Sequence, residues 1–153
     1  MEGTLIKVIY PNGQVFTICR TGIELFISHE WTVLTKYLVC RQGFFHKMLL
    51  PCLPNQVIDH KNRDYYDLRL SNLRACSYKE NMRNRGKFKN SKNTYKGVRY
   101  SEDRLRPRPW QARVYVDGRR YTKRFATEQE ARKWYDEKVK ELHGEFAVPN
   151  KED

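Results

Sequence analysis

Asp59 and His60 stand side by side, and Asn72 and Asn81 follow them within the stretch Val57–Asn81. An imidazole beside a carboxylate can take up a proton while the carboxylate ligates a metal ion. Two amides further on can add a neutral oxygen ligand and an orienting hydrogen bond. Alone, each residue is ordinary: an Asp-His pair is usually on a surface, an Asn-Leu step is a turn, and Asn81 is one more helix residue. Their joint spacing describes a metal-assisted acid–base site and leaves its substrate open.

The surrounding residues must hold that site in place. Gln56-Val57-Ile58 reads as a strand that delivers Asp59 and His60 at its end. Lys61–Leu70 reads as a polar loop, and Ser71 begins a short turn. Ser77–Arg85 reads as a helix, with Ser77 as N-cap and Glu80 at the third position of a capping box. Asn81 then lies one turn into that helix. Lys61, Arg63 and Arg74 are close in sequence and are candidates to grip phosphates. His46 reads as a packed or supporting histidine, and His29 and His143 as structural or surface residues.

Upstream, residues 1–56 read as a β-rich unit. Leu5–Tyr10 and Gln14–Ile18 flank Pro11-Asn12-Gly13, a strong hairpin signal. Thr32–Val39 reads as a further short strand. Gly43–Leu50 is apolar on both sides, as a buried strand or a short helix would be.

Charge points to the substrate. The 153 residues carry 30 Lys plus Arg against 18 Asp plus Glu, a formal net charge of +12. Such an excess suits a polyanion, nucleic acid before an anionic membrane. No apolar run approaches the roughly 20 residues of a bilayer-spanning helix. Met1–Leu5 does not read as a signal peptide, so a cytoplasmic or nucleoid-associated protein is expected. Cys19, Cys40, Cys52 and Cys76 form no C-x-x-C pair. They read as free, mostly buried thiols, with no structural zinc expected.

Met82–Asn93 is basic and poor in apolar residues, a tether whose Lys87 and Lys89 could track phosphates. Residues 94–150 read as three antiparallel strands and a helix: Tyr95–Tyr100, Trp110–Val116, an Asp117-Gly118 turn, Arg119–Phe125, then a capping box at Thr127–Glu130. The helix should run to about Leu142 with Gly144 as its stop, and bury Ala131, Trp134, Tyr135, Val139 and Leu142. Trp110, Ala112, Val114 and Val116 should face it. Gln111, Arg113 and Tyr115 should face outward, joined by Arg119, Tyr121 and Lys123 of the next strand and by Lys96 and Arg99. A sheet face of Arg and Tyr suits a DNA groove.

Two family resemblances gather these residues. Val57–Met82 resembles the HNH endonuclease motif in its zinc-free form, found in phage and intron homing endonucleases. The match runs through Asp59-His60, Ser71-Asn72-Leu73-Arg74 and Ser77–Asn81. Residues 95–150 resemble the AP2 DNA-binding domain, through Tyr95–Arg99, Trp110–Arg113, Phe125–Thr127, Glu130-Ala131, Tyr135 and Gly144, with Glu102–Pro109 lengthening the first hairpin. The order of the two modules is similar to that of phage-type HNH-AP2 homing nucleases.

The resemblance implies an α+β chain in four parts. Residues 1–56 are a β-rich lead-in, 57–85 a ββα-metal unit, 86–93 a basic linker, and 94–150 a three-stranded antiparallel sheet packed on one helix. It implies that Asp59 and Asn81 ligate Mg2+ or Mn2+, that His60 is the general base, and that Asn72 orients His60 or its loop. The implied partner is double-stranded DNA, met by a monomer or a DNA-assembled dimer in a cytoplasm (the host's, if phage-encoded). The other reading is a non-catalytic DNA-binding regulator with a structural HNH module.

Overall fold

The computed structural model describes residues 5–88, 90–102 and 107–150. Lys89 and part of the Glu102–Pro109 insertion therefore lie outside the described residues. The chain divides into two compact units, Met1–Asn81 and Met82–Asp153.

The first unit begins with the expected hairpin. Strands β1 (Ile6–Ile9) and β2 (Val15–Ile18) pair antiparallel, with Ile9 opposite Val15. Gly13 takes φ +79 in the turn, a conformation that favours glycine. A helix α1 (Ile23–Ile27) follows, then β3 (Thr32–Leu34), β4 (Tyr37–Cys40) and β5 (Gly43–Phe44) as a small meander. The reading of Thr32–Val39 as one strand is corrected: Thr35 has φ +57 and breaks it into a hairpin. Of the two alternatives for Gly43–Leu50, the chain takes both in turn, a two-residue strand and then helix α2 (Phe45–Leu49).

The two helices have no side-chain caps and only five residues each. Helices that short do not persist alone; burial holds them. Phe16, Ile18, Leu38, Phe45 and Leu68 form the core, with Phe26, Trp31 and Tyr66 packed on it. Trp31 meets Phe45 edge-on at 5.0 Å, and Phe16 meets Tyr66 at 5.2 Å.

The same unit holds β6 (Gln56–His60) and β7 (Leu73–Ser77), a β-hairpin, and ends within the helix α3 (Tyr78–Arg83) that follows it. The capping box is present: Ser77 N donates to Glu80 Oε2 at 2.8 Å, and Glu80 N donates to Ser77 Oγ at 3.2 Å. The helix ends at Arg83 rather than Arg85.

The second unit contains β8 (Val98–Tyr100), β9 (Trp110–Val116) and β10 (Arg119–Phe125), in the order β10-β9-β8, with α4 (Glu128–His143) on one face. Its first strand is shorter than the expected Tyr95–Tyr100, because Gly97 bends at φ +74 against Tyr135. Asp117 (φ +47) and Gly118 (φ +77) form the two-residue turn. Thr127 and Glu130 cap α4 reciprocally, and Gly144 (φ +54) stops it. Val98, Ala112, Val114, Ala131, Tyr135 and Val139 make the core.

The linker is not an open tether. Lys87 Nζ donates to the carbonyls of Asn93 (3.0 Å) and Thr94 (3.1 Å), closing a loop. Arg85 lies 4.9 Å over the Phe88 ring. All four thiols are free, and only Cys76 is buried; the other three are partly exposed. Among the described residues no helix is long and apolar enough to cross a membrane.

Candidate functional site

β6 carries Asp59 and His60 as its last two residues, both 5 % exposed. Their strand neighbours are Arg74 and Leu73 on β7. Side chains alternate along a strand, so Asp59 shares a face with Arg74 and Cys76, and His60 points to the other. Arg74 Nε donates to Asp59 Oδ2 at 2.9 Å, and its NH2 lies 2.8 Å from the same oxygen. Cys76 lies between Asp59 and α3. Burial first, and then the Asp59 charge, push its thiol up to about 11, while the Asn81 backbone N–H donates to it.

His60 packs against the rings of His46 (5.7 Å between centroids) and Tyr65 (5.5 Å). Burial holds its pKa below the ordinary imidazole value, despite Asp59, Asp64 and Asp67, which act in the opposite sense. A neutral imidazole at pH 7 is the form that can accept a proton. His46 is 8 % exposed and wedged against Tyr37 and Phe44 as well. Burial, then His60 and Lys47, lower its pKa to about 4.

Asn72 holds the loop between the two strands. Its Oδ1 accepts from Asn62 N at 3.0 Å, and its Nδ2 donates to the Asp67 carbonyl at 2.8 Å. Its own carbonyl accepts from Lys61 N at 2.8 Å, directly after His60. Asp67 in turn takes Arg69 Nε (2.7 Å), Arg69 NH2 (2.7 Å) and Asn62 Nδ2 (2.8 Å). The Arg69 bond is the main reason its carboxyl lies below the ordinary value. Backbone bonds from Thr17 N to Tyr66 O and from Leu68 N to Thr17 O, both 2.8 Å, tie this loop to β2.

Two of the cations expected at phosphates are already engaged: Lys61 Nζ donates to Ser71 O at 2.8 Å, and Arg74 is paired with Asp59. Arg63 is exposed. Sequence reading missed Tyr65, which packs on His60, and Tyr37, which packs on Tyr65; no local motif marks either.

Metal binding asks for hard oxygen donors. Among the described residues no three His, Cys, Asp or Glu side chains cluster as ligands. A set of one carboxylate and one amide oxygen, Asp59 with Asn81, fits the chemistry of a hard divalent cation, provided Arg74 shares the carboxylate.

The second unit presents a different surface. Residues paired across antiparallel strands share a face. Arg113 pairs Thr122, Tyr115 pairs Arg120, Gln111 pairs Arg124 and Arg99, so these seven form the face away from α4. Arg119, Tyr121 and Lys123 pair Val116, Val114 and Ala112 instead. Their expected place beside Arg113 is corrected: they lie on the helix side, where Lys138 of α4 sits 5.3 Å over the Tyr121 ring. The two-residue turn carried this signal, since it pairs Val116 with Arg119 and so fixes the parity of β10. Lys96 is also redirected. Its Nζ donates to the carbonyls of Arg83 (3.4 Å) and Arg85.

Gln111 is not outward-facing in the sense of exposed; it is 7 % exposed beneath the arginines. Its Oε1 accepts from Arg99 Nε at 2.7 Å and Arg113 NH2 at 3.2 Å. Arg113 NH1 donates to Tyr115 Oη at 3.1 Å. No acidic residue stands in β8, β9 or β10. Among the described residues, Arg113 Nε and Arg124 NH1 are buried atoms with no hydrogen-bond partner.

Residues 50–83 match the family model of the HNH endonuclease. Comparison with curated proteins and with solved structures returns no match. The matched segment spans β6, β7 and α3 and contains Asp59, His60, Asn72 and Asn81. It supports a nuclease or DNA-binding protein of the HNH class, with DNA as the substrate that class implies.

Proposed function

We propose that the protein is a metal-dependent HNH endonuclease of the homing type. It hydrolyses DNA phosphodiester bonds at sites selected in part by an AP2-like second unit. The observation that carries this reading is a buried His60 kept neutral at the end of β6, next to Asp59 and within the segment of HNH character.

His60 takes the proton of the attacking water. Asn72 orients His60 indirectly, by pinning the loop that leaves it. Asp59 and the amide oxygen of Asn81 would hold Mg2+ or Mn2+, which when bound supplies charge stabilisation for the oxyanions that develop at phosphorus. The DNA-contacting set on the second unit is Arg99, Arg113, Tyr115, Arg120 and Arg124, over Gln111. Arg119, Tyr121 and Lys123 leave that set.

The Arg74–Asp59 ion pair favours a second reading, a DNA-binding protein whose HNH part is structural, because a carboxylate held by a guanidinium is a poorer metal ligand. Supercoiled plasmid incubated with Mg2+, Mn2+ or chelator separates the two. Nicked or linear product in either metal, abolished by chelator, supports the nuclease. DNA retained in a gel shift with no cleavage in any metal supports the structural reading.

A further inference from the structure

We propose that Lys36 binds a phosphate of the cut strand at or next to the scissile bond, as a substrate-contacting residue of the His60 site. The inference rests on the nuclease reading above and adds a residue to it from a distant part of the chain.

Lys36 sits in the turn between β3 and β4, beside Thr35 at φ +57. That turn is anchored. Gln14 Nε2 donates to the Thr35 carbonyl at 3.0 Å and to the Tyr66 hydroxyl at 3.3 Å. Tyr37, the next residue, is locked edge-on against Phe44 (5.8 Å) and Tyr65 (5.7 Å) and lies 5.4 Å from His46. The Lys36 ammonium then lies 3.3 Å from the centroid of Tyr65 and 5.4 Å from that of Tyr37. Tyr65 is the ring that packs on His60. Lys36 is thus held one ring away from the general base.

A cation over a ring is positioned without being neutralised. Among the described residues no carboxylate lies in ion-pair contact with Lys36. This distinguishes it from its neighbours in the site, since Arg74 is spent on Asp59 and Lys61 on Ser71 O. An anchored, charged, half-buried ammonium beside a proton acceptor matches what a phosphodiester requires: a donor for a non-bridging oxygen on the side from which water is activated.

The test compares wild type, Lys36→Gln and Lys36→Arg in single-turnover nicking of a cognate duplex, with binding measured in parallel. The duplexes carry either native phosphates or one methylphosphonate at successive positions about the cut. Lys36→Gln should slow nicking about 10–100-fold with less than about threefold loss of binding, and Lys36→Arg should recover most of the rate. One methylphosphonate position should slow wild type while leaving Lys36→Gln unchanged. A Lys36→Gln protein that nicks like wild type overturns the proposal. So do equal interference patterns for the two proteins, or equal loss in both variants with a lowered Tm. A wild type that cuts no duplex overturns the nuclease reading, and this proposal with it.

Discussion

The two units carry polar groups in opposite ways. In the first, Asn62, Asp67, Arg69 and Asn72 are partnered with one another, and Asp59 is partnered with Arg74. In the second, the sheet face away from α4 is cationic and its strands carry no carboxylate; Arg99 and Arg113 donate to Gln111, while among the described residues Arg113 Nε and Arg124 NH1 have no hydrogen bond. A cationic face whose own strands supply no carboxylate suits an anion from outside. The first region resembles a pre-organised reaction site, where groups must be fixed before the substrate arrives. The second resembles a docking surface that a polyanion completes.

If the contrast is right, perturbing the first region or the support of the second should cost folding stability, and perturbing the cationic face should cost only its ligand. The largest expected effect is at the platform under the face. A Cβ on Gly97 would sit 2.0 Å from Tyr135 Cε2. Gly97→Ala should therefore destabilise the second unit by about 3 kcal/mol, combining overpacking with positive-φ strain; an unchanged chemical-denaturation midpoint for that unit would refute the packing.

Next comes acid sensitivity of the first unit. His46 has a folded pKa of about 4 against 6.5 for the free side chain, so the unfolded chain binds the proton first. Its contribution is complete above about 6.5 and is lost as pH falls from there towards about 4. The loss should be on the order of 2–3 kcal/mol. Asp67 acts lower: its depressed pKa keeps its contribution until pH falls below the ordinary 3.8. Denaturant melts of wild type and His46→Phe between pH 7 and 4 should diverge in slope; parallel curves would remove His46 as the cause.

Asn72→Ala deletes both side-chain bonds that pin the loop and should cost about 2 kcal/mol in stability of the first unit. A stability loss of only a few tenths would mean the loop is held elsewhere. The smallest effects belong to the face. Arg113→Ala or Arg124→Ala should weaken DNA binding by about 1–2 kcal/mol, and Arg124→Ala should leave the melting midpoint unchanged or higher, because a like charge is removed. Arg119→Ala should change binding by less than about 0.5 kcal/mol, since it lies across the sheet. Equal losses at Arg119 and Arg124 would erase the distinction between the faces.

What the sequence reveals follows how local each determinant is. β9, the Asp117-Gly118 turn, β10 and α4 are readable because alternation, a type I′ dipeptide, a capping box and Gly144 are all short-range. The Ser77–Glu80 box places the start of α3 for the same reason. α1 is not readable, and α2 only as one of two alternatives: both are short, uncapped and fixed by burial around Phe45. The parity of β10 is hidden because Arg119–Arg124 offers no apolar contrast, and only counting across the turn resolves it. At the candidate site, the positions of Asp59 and His60 at the end of β6 and of Asn81 in α3 are legible by spacing. The ring set of Tyr37, His46 and Tyr65, and the Arg74–Asp59 pair, arise from contacts across the fold that no spacing announces.

The measurement that bears most directly on the central claim is the single-turnover nicking rate of His60→Ala against wild type, at saturating DNA with Mg2+ or Mn2+ and with binding measured alongside. Loss of a general base should lower the rate by about 10²–10⁴-fold while binding stays within about twofold. A His60→Ala protein that cuts as fast as wild type would contradict the assignment of His60, and with it the site built around the end of β6.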